Sequence, residues 1–198
     1  MNFTILGERH SGTNFLEKAI TENFNLNVTW DYGWKHWMGW QDDKIKNAKD
    51  IIFFCIARNV FDWCHSFNKK PHHVKHLTNN FYNNTWYSLD NVKEIMEDRN
   101  FHTKKRYKNI FELRSVKLRY MYNLDKIQKN TYRVTYENLC NNYDDVMYDI
   151  GQTFNLERLC NPVYPKFSTY ELTHDLKRLI RENTDWEAES LWGYKNKK

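Results

Sequence analysis

The sequence has no long hydrophobic run and no leader-like start. No stretch approaches the 18 apolar residues that a membrane-spanning helix needs, so we expect no membrane-spanning segment. The chain opens with MNFTIL, a strand-like stretch without the charged and then apolar segments of a signal peptide. No internal repeat or low-complexity linker interrupts the sequence. We therefore expect one domain, residues 1–198.

Cysteine is also scarce, and its spacing carries no metal or redox motif. The four cysteines form no CxxC pair and no metal-type pattern with histidine. His72, His73 and His76 lie close together, but they lack a carboxylate partner and follow Pro71, which disfavours a settled helix. We therefore expect no metal site, reduced thiols and a cytoplasmic location.

The charge of the chain is modest and nearly balanced. It has 30 basic and 25 acidic residues, and its 40% hydrophobic and 17% aromatic content excludes a disordered chain. A denser basic patch between residues 104 and 108 is typical of either a solvated surface or a surface that attracts polyanions. No nucleic-acid-binding motif accompanies the patch, so we expect no nucleic-acid partner.

Hydrophobic periodicity predicts strands alternating with helices, which indicates an α/β protein with a mostly parallel sheet between layers of helices. The continuous apolar run DIIFFCIA is typical of a strand covered on both faces. The polar, aromatic residues 69–90 predict a loop. The wider segment 69–108 is the expected lid and the expected region of contacts with a substrate that accepts a transferred group. The predicted strands are Phe3–Leu6, Asn27–Trp30, Asp50–Ala57 and Thr131–Tyr136; the predicted helices are Thr13–Phe24, Val60–Asn68, Asn91–Asp98, Asn109–Lys129, Tyr143–Phe154 and Glu171–Glu182.

The loop after the first predicted strand, GERHSGTN (residues 7–14), has the glycine spacing of an ATP-binding phosphate loop. Thr13 stands where that loop has its lysine, which argues against ATP hydrolysis. The glycines let backbone N–H groups turn inward, and the next helix contributes its positive end. Arg9 and His10 supply the cations upstream, and Ser11 with Thr13 supplies hydroxyl donors. The plainer alternative is a glycine turn that begins a helix.

The loop after the third predicted strand offers a second anion site. Arg58 follows the strand, and Ser66 lies about two helical turns further on. A guanidinium with a nearby hydroxyl suits a phosphate dianion. The alternative is a helix-start arginine paired with Asp62. Because the ends of parallel strands share one edge, we expect both anion loops to meet there.

These motifs together resemble the sulfotransferases that use 3′-phosphoadenosine-5′-phosphosulfate (PAPS). RHSGTNFLE resembles their 5′-phosphosulfate loop, although the family's basic residue directly before Ser-Gly-Thr is His10 here, with Arg9 one position earlier. The Arg58–Ser66 spacing is similar to the family's signature for binding the 3′-phosphate. The stretch YENL resembles the end of a family strand, and by that match Tyr136 would approach the adenine; the alternative is that Tyr136 packs in the core. The resemblance implies a P-loop-NTPase-like sulfotransferase architecture, no metal, and PAPS bound by Arg9, His10, Ser11, Gly12, Thr13, Asn14, Arg58, Ser66 and Tyr136.

The resemblance also implies a general base and a cation in WDYGWKHWMGW, residues 30–40. Transfer of a sulfuryl group to a hydroxyl needs a base for the proton and positive charge at the departing oxygen. His36 is the expected base, and Asp31 is the alternative candidate. Lys35 is the expected cation at the departing oxygen, together with Arg9 or His10. The alternative is a surface histidine among packed tryptophans. Those tryptophans suit either a core or a stacking platform for a sugar or aryl acceptor.

Sulfuryl transfer from PAPS to a hydroxyl of a glycan, a tyrosine or a small alcohol is therefore the expected activity. Two alternatives stay open at this point. One is a nucleotide kinase or NTPase of the P-loop class, against which the missing lysine argues. The other is a sulfotransferase-like module that binds PAPS or another anion without catalysis, which His10 in place of the usual basic residue allows.

Overall fold

The computed structural model describes four stretches of the chain, residues 1–69, 98–159, 161–165 and 171–196. Its elements in chain order are β1 (Asn2–Gly7), α1 (Thr13–Asn23), β2 (Asn27–Val28), α2 (Asp42–Lys46), β3 (Ile51–Ala57), α3 (Val60–Lys69), α4 (Ile110–Tyr122), a 3₁₀ turn (Leu124–Lys126), β4 (Thr131–Thr135), α5 (Tyr136–Asn141), α6 (Tyr143–Phe154), α7 (His174–Asn183) and α8 (Trp186–Ser190). The α/β class is confirmed. The predicted helix 91–98 lies, apart from Asp98, outside the described residues.

The chain forms two compact units. The first comprises Met1–Asn59 and Met121–Tyr170 and contains the sheet. The second comprises Val60–Tyr120 and Glu171–Lys198. The expectation of a single domain stays a prediction.

The sheet of the first unit has four parallel strands in the order β2-β1-β3-β4. Asn2 of β1 pairs with Ile51 of β3, and this register continues to Gly7 opposite Ile56. All seven residues of β3 are buried, as its unbroken apolar run predicted, because a central parallel strand is covered on both faces. The register brings the carboxyl ends of β1, β3 and β4 to one edge.

The main core of this unit lies between the sheet and helices α1 and α6. Alternate residues of β3, Ile52, Phe54 and Ile56, face Leu16 and Ile20 of α1. Every second side chain of a strand lies on the same face of the sheet, and side chains three or four residues apart lie on the same face of a helix, so these residues form one layer. Each fully buried side chain of this size contributes about 1.5–3 kcal/mol relative to exposure. The core therefore gives the sheet edge a rigid support.

Several element boundaries differ from the predictions. Two helices begin where a side chain caps the first turn, a position that hydrophobic periodicity does not indicate. Tyr136 opens α5 instead of ending a strand, since the Thr135 side chain accepts a hydrogen bond from the Asn138 N–H. Helix α7 begins at His174, after Thr173 caps it in the same way. The predicted helix 109–129 ends at Tyr122, and a 3₁₀ turn follows. The short helices α2 and α8 were not predicted.

The described part of the second unit contains two buried ion pairs. Arg114 and Glu189 are each 2% exposed and form a two-pronged ion pair, with distances of 2.5 Å from Nε to Oε1 and 2.9 Å from Nη2 to Oε2. The Arg114 guanidinium also lies 4.9 Å from the ring centroid of the buried Trp63. Lys117 forms a second buried pair with Asp98. Burial opposes the charge on Arg114, but the Glu189 carboxylate outweighs it and raises the pKa of Arg114 above its ordinary value.

Candidate functional site

The carboxyl edge of the sheet has the topology of a ligand site. After β1 the chain adds β2 on one side and then β3 on the other, so the direction reverses between β1 and β3. Ligands of open parallel sheets bind outside the carboxyl ends of the strands at such a reversal. The loop 8–12 leaves from β1, and residues 58–59 leave from β3, at this place. The two predicted anion loops therefore begin at neighbouring strands.

The loop after β1 turns sharply and leaves the first turn of α1 without a side-chain cap. His10 and Gly12 have left-handed backbone angles, with φ of 64° and 92°. Gly12 is the N-cap of α1, makes no side-chain capping hydrogen bond, and is followed by no acidic residue in the first turn. The N–H groups of a first helical turn have no intrahelical acceptor and carry partial positive charge. This helix end is suited to an anion.

Glu8 is a buried residue of this loop to which the sequence assigned no role. Its Oε1 accepts a hydrogen bond from the Arg9 N–H at 2.8 Å, and its carbonyl oxygen accepts one from the Ser11 N–H at 3.1 Å. Both bonds close the turn on itself. Glu8 therefore stabilises the turn of this loop. No motif in the sequence indicated this role for a carboxylate at position 8.

Arg58 joins the second loop to the first. Its Nη1 donates to the His10 carbonyl oxygen at 3.3 Å, and its guanidinium carbon lies 4.6 Å from the ring centroid of Tyr136. The neighbouring Asn59 N–H donates to Glu137 Oε1 at 2.9 Å. The structure thus brings Arg58 to the loop after β1. Ser66 lies half-buried on α3, in the second unit, and its pairing with Arg58 stays a prediction.

The Tyr136 ring lies next to Gly12 of the loop after β1. It packs against the main core and meets Phe15 edge-on, with 6.1 Å between ring centroids. Burial, followed by a hydrogen bond with Cys140, raises the pKa of Tyr136 to about 12, so the phenol keeps its proton at neutral pH. These contacts agree with the packing role that the sequence left open; a contact with adenine stays a prediction.

The contact between Gly12 and Tyr136 leads to a prediction about the loop. A Cβ atom added to Gly12 would lie 2.3 Å from Tyr136 Cδ2, at a φ of 92°. We expect Gly12→Ala to lower the free energy of unfolding by about 1–2 kcal/mol for the left-handed backbone, and by about 1–3 kcal/mol more for the overlap. Urea unfolding measures the sum. The matched control is Gly193→Ala, where φ is 82° and nothing lies within 4 Å; equal losses in both variants would contradict the packing contact.

His36 and Lys35 hold the end of β1 from the loop after β2. The Gly7 N–H donates to the Lys35 carbonyl oxygen at 3.0 Å, and the Gly7 carbonyl oxygen lies 2.6 Å from His36 Nδ1. A carbonyl oxygen only accepts, so Nδ1 carries a proton and Nε2 is the basic nitrogen of the neutral ring. His36 is 6% exposed. The competing base, Asp31, is exposed to solvent in the same loop.

The Lys35 ammonium reaches the first turns of α1. Its Nζ donates to Asn14 Oδ1 at 2.5 Å and forms an ion pair with Glu17 Oε2 at 3.4 Å. Asn14 follows Thr13, the residue that replaces the lysine of an ATP-binding loop. The Lys35 ammonium, from the loop after β2, therefore lies beside the start of α1, where Thr13 replaces the lysine of an ATP-binding loop. The sequence predicted Lys35 as a site residue but not this location.

Arg9 contributes a further positive group on the same side of the loop. Its guanidinium carbon lies 4.5 Å from the ring centroid of Trp34, and the Trp34 ring meets His36 edge-on at 4.8 Å. His10 instead offers its carbonyl oxygen to Arg58. Of the two cations that the sequence left open, Arg9 thus stacks on Trp34, whose ring contacts the predicted base. Which of them contacts the anion stays a prediction.

A cleft of about 630 Å³ opens next to these residues. Trp30 and Trp34, each 38% exposed, form part of its wall, so they are surface residues and not core, and their role as a stacking platform stays a prediction. Trp37 and Trp40 are 45% and 42% exposed and do not belong to the lining. The lining side chains are Asn14, Glu17, Lys18, Thr21, Trp30, Trp34 and Lys35.

The expected acceptor-side lid, 69–108, lies outside the described residues except for Lys69 and residues 98–108. In that last stretch Arg99 and Arg106 form an antiparallel bridge, and the basic residues between 104 and 108 are exposed. Among the residues that the structure describes, no three or more His, Cys, Asp or Glu side chains are grouped to hold a metal ion. Within the same ranges, no helix is both long and apolar enough to cross a membrane.

Comparison of the chain with protein-family models, with curated proteins and with solved structures found no match.

Proposed function

We propose that this protein is a PAPS-dependent sulfotransferase that transfers a sulfuryl group to an acceptor hydroxyl. The proposal rests chiefly on one observation, the hydrogen bond from Arg58 of the second loop to the His10 carbonyl oxygen of the first. This contact makes two anion-binding groups neighbours at the topological reversal of the sheet. Two separate anion sites suit a nucleotide with phosphates on two positions, as in PAPS, better than the single chain of phosphates in ATP.

The donor side of the proposed site uses the helix end and two cations, Arg58 and Lys35. The uncapped first turn of α1 would bind the 5′-phosphosulfate through backbone N–H groups. Arg58 would bind the 3′-phosphate through its guanidinium. The Lys35 ammonium, which donates to Asn14 in the first turn of α1, would stabilise the negative charge that develops on the departing phosphate oxygen. Thr13 in place of a lysine removes the group that the Mg-nucleotide loops use.

The acceptor side of the proposed reaction uses His36 as the general base. The acceptor oxygen forms a bond to sulfur while the bond from sulfur to the phosphate oxygen breaks. His36 takes the acceptor proton on Nε2, because the carbonyl of Gly7 keeps the other nitrogen protonated. The products are a sulfate ester, adenosine 3′,5′-bisphosphate and a protonated imidazole, which then loses its proton to solvent.

Binding of adenosine 3′,5′-bisphosphate, measured by isothermal titration calorimetry, tests the proposal. We expect wild-type protein to bind it, and Arg58→Ala to lose about 10–100-fold in affinity, since a charged hydrogen bond is worth about 1.5–3 kcal/mol. Arg133→Ala is the matched control. Arg133 likewise stacks on a tyrosine in the first unit, with its guanidinium 4.7 Å from the Tyr122 centroid, but it pairs with Asp125 on the surface.

Two outcomes would overturn the proposal. One is an absence of bisphosphate binding at high micromolar protein, or an Arg58→Ala variant that binds like wild type. The other is Mg-dependent ATP turnover by the wild-type protein, which would assign the phosphate loop to a kinase or NTPase. Bisphosphate binding without transfer to any acceptor would instead favour the non-catalytic module.

A further inference from the structure

The cleft beside α1 combines two features that a saccharide requires. Trp30 and Trp34 expose aromatic surface on one part of the wall, and polar side chains from α1 cover another part. Large aromatic side chains that stay exposed in a concave surface mark a binding site more often than a folding requirement. The volume of about 630 Å³ lies within the range of small-molecule sites, about 300–1,000 Å³.

We infer that this cleft binds a saccharide, and that the sulfuryl acceptor is a sugar hydroxyl. A sugar ring presents C–H groups on its faces and hydroxyl groups around its edge. The Arg9 guanidinium lies over one face of Trp34 and the Lys35 ammonium over one face of Trp30, so the opposite indole faces would match the C–H groups. Carboxylate, amide and hydroxyl side chains match the edge, because each can pair with sugar hydroxyls as acceptor or donor. Glu17, Asn14 and Thr21 provide these three groups in the cleft.

The polar lining decides between a sugar and an aryl acceptor. A phenol or tyrosine side chain has one hydroxyl and an apolar ring, so it would cover the polar groups of α1 without pairing with them. Asn14 and Glu17 already contact Lys35, and the Thr21 hydroxyl already donates to carbonyl oxygens of α1, so only their remaining donor and acceptor positions would lose water without gaining a partner, at roughly 1–3 kcal/mol each. Five of the seven lining side chains are polar or charged, and only the two indoles are apolar. The lining thus favours a ligand with many hydroxyls over one with a single hydroxyl.

The cleft shares residues with the proposed catalytic groups. Lys35 lines the cleft while its ammonium contacts Asn14, another lining residue at the start of α1. Trp34 lines the cleft and also meets the His36 ring at 4.8 Å. A sugar stacked on Trp34 would therefore lie next to the base and the cation. The role of the sugar as acceptor rests on the proposed function, whereas the binding of a sugar to the cleft does not.

Saccharide titrations followed by NMR of the tryptophan indole N–H groups test this inference without any nucleotide. The probes are chitotriose, maltotriose and lactose, with N-acetyltyrosinamide as the aryl comparison. We expect at least one saccharide to shift the indole signals of Trp30 and Trp34, assigned by single Trp→Phe variants. Trp30→Ala should lose tenfold or more in affinity and Trp30→Phe should lose less, while Trp40→Ala, equally exposed but outside the lining, should bind like wild type.

The inference fails if none of the three saccharides shifts these signals at millimolar concentration, or if N-acetyltyrosinamide shifts them and the saccharides do not. It also fails if Trp40→Ala weakens binding as much as Trp30→Ala. Calorimetry with adenosine 3′,5′-bisphosphate on the same samples separates the two proposals. Bisphosphate binding without saccharide binding would remove only the sugar assignment. Saccharide binding without bisphosphate binding would remove the PAPS assignment and the acceptor role of the sugar, and would leave the saccharide site.

Discussion

Replacing His36 by asparagine should lower the rate of sulfuryl transfer by about 10²–10⁴-fold, the usual contribution of a general base. The asparagine amide can still donate to the Gly7 carbonyl oxygen, as His36 Nδ1 does at 2.6 Å, so the end of β1 keeps its partner. What the variant lacks is the basic Nε2. Transfer of radiolabelled sulfate from PAPS to a saccharide that binds the cleft measures the rate, and calorimetry should show unchanged affinity for the bisphosphate.

The pH dependence separates a base from a purely structural histidine. Wild-type activity should fall under acidic conditions that protonate the base, because a protonated base cannot accept the acceptor proton. The residual activity of His36→Asn should lack this fall. His102→Asn is the matched control, since His102 is an exposed histidine of the second unit. A His36→Asn rate within about threefold of wild type would remove His36 from the mechanism.

Replacing Glu189 by alanine should lower the free energy of unfolding by about 3–5 kcal/mol, the typical effect of breaking a buried ion pair. The variant leaves the Arg114 guanidinium without its carboxylate, although both side chains are only 2% exposed in the native protein. The contact of Arg114 with the Trp63 ring cannot replace two charged hydrogen bonds. Urea unfolding followed by circular dichroism measures the change.

Glu187→Ala provides the matched control two residues away on the same helix. Glu187 is 81% exposed and pairs with Arg119 at 3.0 Å, so its loss should change the free energy of unfolding by no more than about 1 kcal/mol. Replacing both members of the buried pair, as Arg114→Met with Glu189→Leu, should recover much of the lost stability, since no unpaired charge stays buried. Equal effects of Glu189→Ala and Glu187→Ala would contradict the assignment.

The parallel sheet and the places of its loops were accessible from the sequence because they follow from local patterns. An unbroken apolar run predicts a strand that is covered on both faces, and β3 is buried along its whole length. Strands that alternate with amphipathic helices predict parallel pairing, and all four strands are parallel. The ends of parallel strands share one edge, so the contact of Arg58 with the loop after β1 was also predictable.

Long-range partners were not accessible from the same patterns. Lys35 and Asn14 are 21 residues apart, and Arg114 and Glu189 are 75 residues apart. Periodicity identifies a strand or the apolar face of a helix, but it does not indicate which charged side chain another loop or helix will approach. Arg114 is therefore indistinguishable in sequence from a surface arginine. The exposure of the tryptophans in residues 30–40 was ambiguous for the same reason.

The sequence by itself determined the α/β class, the glycine turn that begins α1 and the order of the loops along the chain, since each depends on neighbouring residues. Only the tertiary structure decided that the Lys35 ammonium lies beside the first turn of α1, where Thr13 replaces the lysine of an ATP-binding loop. It also decided that Trp30 and Trp34 line a cleft next to that ammonium. The physical reason is that these contacts depend on the packing of the loop after β2 against α1, which no local pattern specifies.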